Sequence, residues 1–301
     1  MILRVIEPAP VNSGARTAVV TDSTAYLPQD MIDAHGIEVV SLYVSVGGEQ
    51  EAESEVDDYA AFYERLRASD SGASTSQPSV GDFVEVYEPL LDTGAEVVSV
   101  HLSAGISGTC EAAGQARQRL IDDGKGGERI TVVDSRTAAG ALGLCALAGA
   151  RAQASGADAE EIVARVNEAR SNLKIWFAVD TLEYLRRGGR IGAASALVGS
   201  ALKIKPILTL ESEITPVEKV RTRGRAIGRL RDYARQRHES GADAWVVQHI
   251  RDPEAAESLA TDCREIFGRD PVFVSEIGPV IGAHVGPGVL GVGSVPVSVL
   301  E

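Results

Sequence analysis

The chain reads as an α/β protein in two unequal parts. An amino-terminal domain has a mostly parallel sheet flanked by helices, and a smaller α+β carboxyl-terminal domain has a mainly antiparallel sheet. Three observations predict this. Short apolar runs alternate with helical segments from residue 17 to about 172, the pattern of strands buried on both faces between helical layers. Beyond residue 174 the alternation gives way, and segments 206–210 and 214–220 read as the two arms of a hairpin. The 301 residues, 44% of them hydrophobic, suit two cores better than one. The expected division is a leader at 1–16 and domains at 17–172 and 173–301.

The first strand, 17–21, ends on Asp22-Ser23-Thr24, and Pro28 then starts a helix closed by Gly36. A polar loop at the carboxyl end of a strand lies where open α/β sheets bind ligands, so Asp22 and Ser23 are site candidates as well as turn and cap residues. Residues 38–46 read as one strand running into a hairpin turn at Gly47-Gly48. The acidic residues that follow, Glu49, Glu51, Glu53, Glu55, Asp57 and Asp58, fit no calcium-loop spacing and read as a solvated face. Tyr59, Phe62, Tyr63 and Leu66 recur at helical spacing.

That helix leads into Ala73-Ser74-Thr75-Ser76-Gln77-Pro78-Ser79, where hydroxyls, an amide and a proline predict turns. Ser79 and Asp82 then cap a helix over 80–91. A strand at 97–101 precedes a second hydroxyl-rich loop, Ser103-Ala104-Gly105-Ile106-Ser107-Gly108-Thr109, and another helix. Two such loops at helix starts are placed to share one anionic group. A strand at 130–133 ends on Asp134-Ser135; the uncharged Ala-, Leu- and Gly-rich segment from Thr137 reads as a buried helix, and Asp158 with Glu161 caps the next.

In the second half a strand at 175–179 and a short helix precede the basic turn Arg186-Arg187-Gly188-Gly189-Arg190-Ile191-Gly192. Arg190 beside two glycines reads either as an anion clamp or as a helix terminus. After the hairpin come a helix over 224–238, a strand at 244–250 and a helix opened by Asp252-Pro253-Glu254. The tail 277–288 is Gly-rich, with His284 alone among glycines. Gly286-Pro287-Gly288-Val289-Leu290-Gly291 matches GxGxxG formally, but the ten residues after it leave no room for a βαβ unit.

Composition excludes several classes. A net charge of −14 argues against a nucleic-acid binder. The interval 203–237 reverses that sign, with ten Lys and Arg against four Asp and Glu, and suits either a solvated face or the docking of an acidic partner. Three cysteines without a CxxC pair, and no His at metal-ligand spacing, point to a reducing cytoplasmic setting without a structural zinc or other cofactor. No secretory signal is read at the start, and no uncharged apolar stretch approaches the roughly 18 residues of a membrane span.

Assembled, these motifs resemble the DegV family of bacterial fatty-acid-binding proteins. The resemblance runs from Val20-Thr21-Asp22-Ser23-Thr24 through Thr75-Ser76-Gln77-Pro78-Ser79, Ile106-Ser107-Gly108-Thr109 and Leu185-Arg186-Arg187-Gly188-Gly189-Arg190-Ile191 to the Gly-rich tail. It implies a long-chain fatty acid held between the two domains, its carboxylate bound by the residues matching Thr75 and Ser107, with His284 and Arg190 as the matching His and Arg. Ser76, Asp22, Ser23 and Gly108 are further candidates for headgroup or partner contacts. It also implies a carrier rather than an enzyme, one that presents the acid to a separate ATP-dependent fatty acid kinase for acyl-phosphate formation and touches membranes at most transiently. The chain departs from the family pattern in its leader, in Tyr26 and in the Ala104-Gly105-Ile106 form of the second loop.

The residues themselves are compatible with this. A carboxylate taken out of water needs several hydrogen bonds or it protonates, and Thr75, Ser107, loop amides and His284 can supply them. No GxxxxGK[ST] loop is present, so ATP binding falls to the partner. Two rivals use the same residues. One is a serine hydrolase built on Ser107 or Ser76 with His284 and Asp22 or Asp134, though without a GxSxG elbow. The other is a non-catalytic regulator that binds a small metabolite.

Overall fold

The computed structural model describes residues 17–69, 72–197 and 204–301; the leader and Lys203, where the basic interval begins, lie outside them. The first half comprises β1 (Thr17–Asp22), α1 (Gln29–His35), β2 (Glu38–Val40), β3 (Tyr43–Val46), β4 (Glu49–Ala52), α2 (Tyr59–Ala68), β5 (Ala73–Ser76), α3 (Val80–Asp92), β6 (Glu96–His101), α4 (Thr109–Asp122), β7 (Ile130–Asp134), α5 (Gly140–Ala154) and α6 (Ala159–Asn172). The second comprises β8 (Lys174–Ala178), α7 (Glu183–Arg187), β9 (Lys205–Glu211), β10 (Glu213–Val220), α8 (Arg223–Glu239), β11 (Ala244–His249), α9 (Pro253–Phe267), β12 (Phe273–Glu276), α10 (Pro279–Val285) and β13 (Leu290–Val295).

The first sheet is parallel throughout, in the order β2-β1-β6-β7. Every residue of β1 is buried, as an unbroken Val-rich run between two helical layers requires. Phe83, Tyr87 and Leu90 of α3 pack with Ala113, Ala116 and Leu120 of α4 on one face, while α5 and α6 cover the other. The capping boxes of α3 (Ser79, Asp82) and α6 (Asp158, Glu161) form as the sequence predicts.

The second sheet has the order β10-β9-β8-β13-β11-β12 and is antiparallel except where β11 meets β12. Its outer face carries α8 and α9, with Leu230, Tyr233, Leu259 and Phe267 over Trp245 and Val247. Its inner face packs on α5, which therefore lies between two sheets. Residues 140–150 are all buried in consequence, and the helix is apolar all round rather than amphipathic. A third, small antiparallel sheet, β4-β3-β5, supports α10.

Three sequence expectations are corrected, and the tail, to which the sequence assigns no element, gains two. Residues 38–46 are not one strand: β2 joins the parallel sheet and β3 the small antiparallel one. The chain turns between them at Leu42, whose N–H donates to Ser23 Oγ (3.1 Å) and whose carbonyl accepts from Glu53 N (2.8 Å). Ala73–Ser76 is a strand paired with β3, with Thr75 opposite Val44, and the three residues after it join it to α3. The acidic stretch is not wholly a solvated face, because Glu53 is buried. The Gly-rich tail contains α10 and leads into β13.

The basic interval is largely neutralised from within. Lys205 and Arg223 pair with Asp180, Arg229 with Glu218 and Asp232, Arg231 with Asp262, and Arg235 with Asp232. Lys219, Arg221, Arg225 and Arg237 have no ion pair among the described residues; Arg237 instead donates to Ser294 Oγ (3.0 Å) and Asn172 O (2.6 Å).

Candidate functional site

Between the parallel sheet's carboxyl end, α10 and the inner face of the second sheet lies a cavity with about 1010 Å³ of empty space, its open mouth included. Its walls are chiefly aliphatic, with Leu102, Ile175, Leu210, Val246 and Val280 among them. Thr75, Ser76, Gln77, Ser107, Arg190 and His284 also line it. Their contacts gather them at one end. Gly108 packs so closely on Gln77 that a Cβ there would lie 2.6 Å from Gln77 Nε2, which joins the two hydroxyl-rich segments. Arg190 reaches across from the turn after α7, its Nε donating to Ile106 O (3.1 Å) and Nη1 to Gly188 O (2.9 Å).

Thr75 Oγ1 and His284 Nε2 are 2.7 Å apart. Burial, and secondarily the Arg190 guanidinium, pushes the His284 pKa down to about 4, so the imidazole is neutral near pH 7. Its Nδ1 is buried with no hydrogen-bond partner among the described residues. A proton on Nδ1 would be a buried donor without an acceptor, so the neutral ring carries its proton on Nε2 and donates to Thr75. That leaves the one hydroxyl proton of Thr75 free to be donated into the cavity.

Ser107 Oγ is 2.9 Å from Thr109 Oγ1 at the start of α4. Gly108, the N-cap, has no side chain to satisfy the first N–H groups of this 14-residue helix; Thr109 N donates to Ser107 Oγ (3.4 Å), and the amides after it, with the positive end of the helix dipole, lie beside Ser107. The loop holding Ser107 is pinned from three sides: Ser103 N donates to Thr137 O (2.7 Å), Ser103 Oγ to Ser212 O (2.7 Å), and Ala104 N to Asp134 Oδ1 (3.2 Å). Hydroxyls, amides and one guanidinium at the end of an apolar cavity suit a carboxylate on a hydrocarbon tail.

Asp22 and Ser23 are placed elsewhere. Asp22 is fully buried and accepts from Thr24 N (3.1 Å), Thr24 Oγ1 (2.5 Å) and Leu102 N (2.9 Å), with His101 Nδ1 at 3.1 Å. It ties the ends of β1 and β6 together and does not reach the cavity. Ser23 Oγ donates to Glu53 Oε2 at 2.5 Å. Gly108 lines a shallow groove outside the cavity mouth, with Gly189 and Arg190.

The hydrolase arrangement is not assembled. His284 Nε2 meets Thr75 rather than Ser107, and Asp134 Oδ1 accepts from Ala104 and Arg136 amides. A Ser-His-Asp chain does exist at Ser99, His101 and Asp22, with Ser99 Oγ 2.6 Å from His101 Nε2, but all three are wholly buried and Tyr87 O–H donates to Ser99 (2.7 Å). No substrate reaches it.

Sequence reasoning missed Glu53. Its carboxylate accepts from Ser23 and Tyr26 hydroxyls (2.5 and 2.8 Å) and from Val280 N (2.8 Å), while Ile281 N donates to Tyr26 Oη (3.2 Å). This fixes the start of α10, which carries Val280, Ile281 and His284 to the cavity wall. Burial raises its pKa to about 7 against the pull of these hydrogen bonds. Its partners are far away in sequence, so only its place in an acidic run was visible. Among the described residues no His, Cys, Asp and Glu cluster suits a metal ion, and no helix is long and apolar enough to cross a membrane.

The model of a family described as "Uncharacterised protein, DegV family" matches residues 16–297. The chain belongs to the DegV family. A DegV domain-containing protein of Streptomyces coelicolor is 43% identical over 282 residues, covering 91% of this chain and 96% of the relative. Protein DegV of Bacillus subtilis is 36% identical over 282 residues, covering 91% and 97%. Among solved structures, DegV of Bacillus subtilis, described as a fatty acid binding protein, superposes with a TM-score of 0.83 at 34% identity, covering 93% of this chain and 99% of that one. A DegV family protein from Thermus thermophilus, described for its fatty acid binding, gives 0.83 at 33% identity with the same coverage. The fold expected from the sequence is thus the DegV fold.

Proposed function

We propose that this DegV family protein carries a long-chain fatty acid, its tail in the apolar cavity and its carboxylate among Thr75, Ser107 and Arg190, and presents it to a separate ATP-dependent kinase. The observation that carries this reading is the cavity's polarity: aliphatic walls with Thr75, Ser107, Arg190 and His284 gathered at one end. The tail supplies the affinity. At about 0.8 kcal/mol per buried CH₂, a long acyl chain gains on the order of 10 kcal/mol before ordering costs.

Thr75 donates its proton to one carboxylate oxygen and is held for that role by the Nε2–H of His284. Ser107 and the free amides of α4 serve the other oxygen, and Arg190 offsets its charge. In the presented complex a carboxylate oxygen attacks the terminal phosphorus of the kinase's ATP, the bond to the ADP oxygen breaks, and the acyl phosphate forms. Nothing in the chain matches a P-loop, so the nucleotide belongs to the partner. The carrier itself is non-catalytic and works in the cytoplasm, with membrane contact at most transient.

The test is native mass spectrometry of the purified protein followed by lipid extraction. A stoichiometric fatty acid supports the reading. A protein that emerges empty and refuses added fatty acids overturns it.

A further inference from the structure

The inner face of the second sheet is not evenly packed. β13 lies between β8 and β11, and its cavity-facing positions are glycines: Gly291 lies opposite Phe177 on one side and Gln248 on the other, and Gly293 opposite Ile175 and Val246. All six residues line the cavity. Two rows of large–none–large side chains make a trough along β13, and its floor offers a ligand no free hydrogen-bonding groups because the strand is paired on both edges. The one polar side chain on its walls, Gln248, is occupied within the protein: its Oε1 accepts from Gly140 N, and its Nε2 donates to Ser275 Oγ (2.9 Å). A trough of this kind fits an unbranched hydrocarbon and gives a polar metabolite nothing to bind.

The direction of the trough follows from the connections. β8 leads from Phe177 toward α7 and Arg190, and β13 is entered from α10, which carries His284. The Phe177–Gly291–Gln248 row is therefore nearer the polar end, and the Ile175–Gly293–Val246 row lies about 7 Å deeper, two residues along the strands. We infer that Gly293 sets the length of acyl tail the cavity accepts, because the absent side chain on the central strand is the space that the distal methylenes occupy. This rests on the fatty-acid reading above and specifies it.

Gly293 permits a clean test. The nearest atoms to a Cβ there would be Lys174 O at 3.5 Å and Ile175 side-chain atoms at 3.6 Å, ordinary contacts, whereas one at Gly291 would press on Phe177 Cβ at 3.1 Å. Wild type, Gly293→Ala and Gly293→Val are stripped of lipid and titrated with a graded series of straight saturated fatty acids. Each methylene displaced is worth roughly fourfold in affinity. The longest acid that wild type holds is expected to lose about tenfold or more in Gly293→Val relative to acids two to four carbons shorter, with a smaller shift of the same sign in Gly293→Ala. A general loosening of the fold would weaken all lengths alike. Wild-type affinity ratios in Gly293→Ala, with wild type itself binding, overturn the inference alone. Failure of wild type to bind any fatty acid overturns the carrier reading and this inference with it.

Discussion

Gly188 and His284 touch through a side chain that is not there: a Cβ on Gly188 would overlap Nδ1 of His284, although the φ of −74° at Gly188 is one any residue adopts. The glycine is needed for space rather than for backbone freedom. Gly188→Ala is thus expected to push the imidazole off Thr75 and to weaken fatty-acid retention about as much as His284→Ala, roughly fivefold for one hydrogen bond. The double variant should add little to either single one. Additive losses in a binding titration would show that Gly188 acts by another route.

Thr75 and Ser107 are expected to contribute separately. On the proposed reading each faces the carboxylate directly, and a hydrogen bond to a charged group is worth about 1.5–3 kcal/mol, so Thr75→Ala and Ser107→Ala should each lower affinity about tenfold or more while leaving the melting temperature near wild type. Calorimetric titration of lipid-free protein checks this. Unchanged affinity in both variants would move the headgroup elsewhere in the cavity.

Glu53 and His284 give stability opposite dependences on pH. Glu53 has a folded pKa of about 7 against an ordinary 4.5, so its contribution is fully present below pH 4.5 and is lost as pH rises through about 7. His284, lowered from 6.5 to about 4, contributes above pH 6.5 and loses that contribution as pH falls through about 4. Glu53→Gln keeps an acceptor for Tyr26 and Val280 and removes the titration. Its urea-unfolding free energy relative to wild type is expected to rise between pH 4.5 and 8 by on the order of 3 kcal/mol. Parallel pH profiles for the two proteins would mean that Glu53 is not held protonated by burial.

Asp22 should matter to stability and not to ligand contact. Asp22→Ala leaves the amides of Thr24 and Leu102, and the ring of His101, without their acceptor in a dry site. About 3–5 kcal/mol of destabilisation is expected by denaturant titration. A variant of wild-type stability that had lost ligand would restore Asp22 to the headgroup.

The parallel half was legible because its strands are continuous apolar runs and its helices carry caps at the right places, as at Ser79–Asp82 and Asp158–Glu161. The convergence of Thr75, Ser107, Arg190 and His284 on one cavity followed from motifs rather than periodicity. Three features were hidden for physical reasons. The strand Leu290–Val295 has glycine at its cavity-facing positions 291 and 293, so the alternation that marks a half-buried strand is blank there. The helix Pro279–Val285 spans only seven residues, too few for a period to stand out. Glu53 is chosen from its acidic neighbours by hydrogen bonds to residues 27, 30 and 227 positions away, which local pattern cannot show.

The place of β13 bears on synthesis. It follows every other strand in the chain yet occupies the middle of its sheet, between a strand made more than a hundred residues earlier and β11. On the ribosome β8 and β11 have no direct partnership to form, and the apolar flank of α5 that will face them has no finished cover until residues 290–295 emerge. The sheet wall of the cavity therefore closes in a single late step, when β13 enters between β8 and β11. Until β13 arrives, α5 packs on α6, β1 and β6 but leaves bare the flank that will face the second sheet, and exposed apolar surface of this kind invites aggregation.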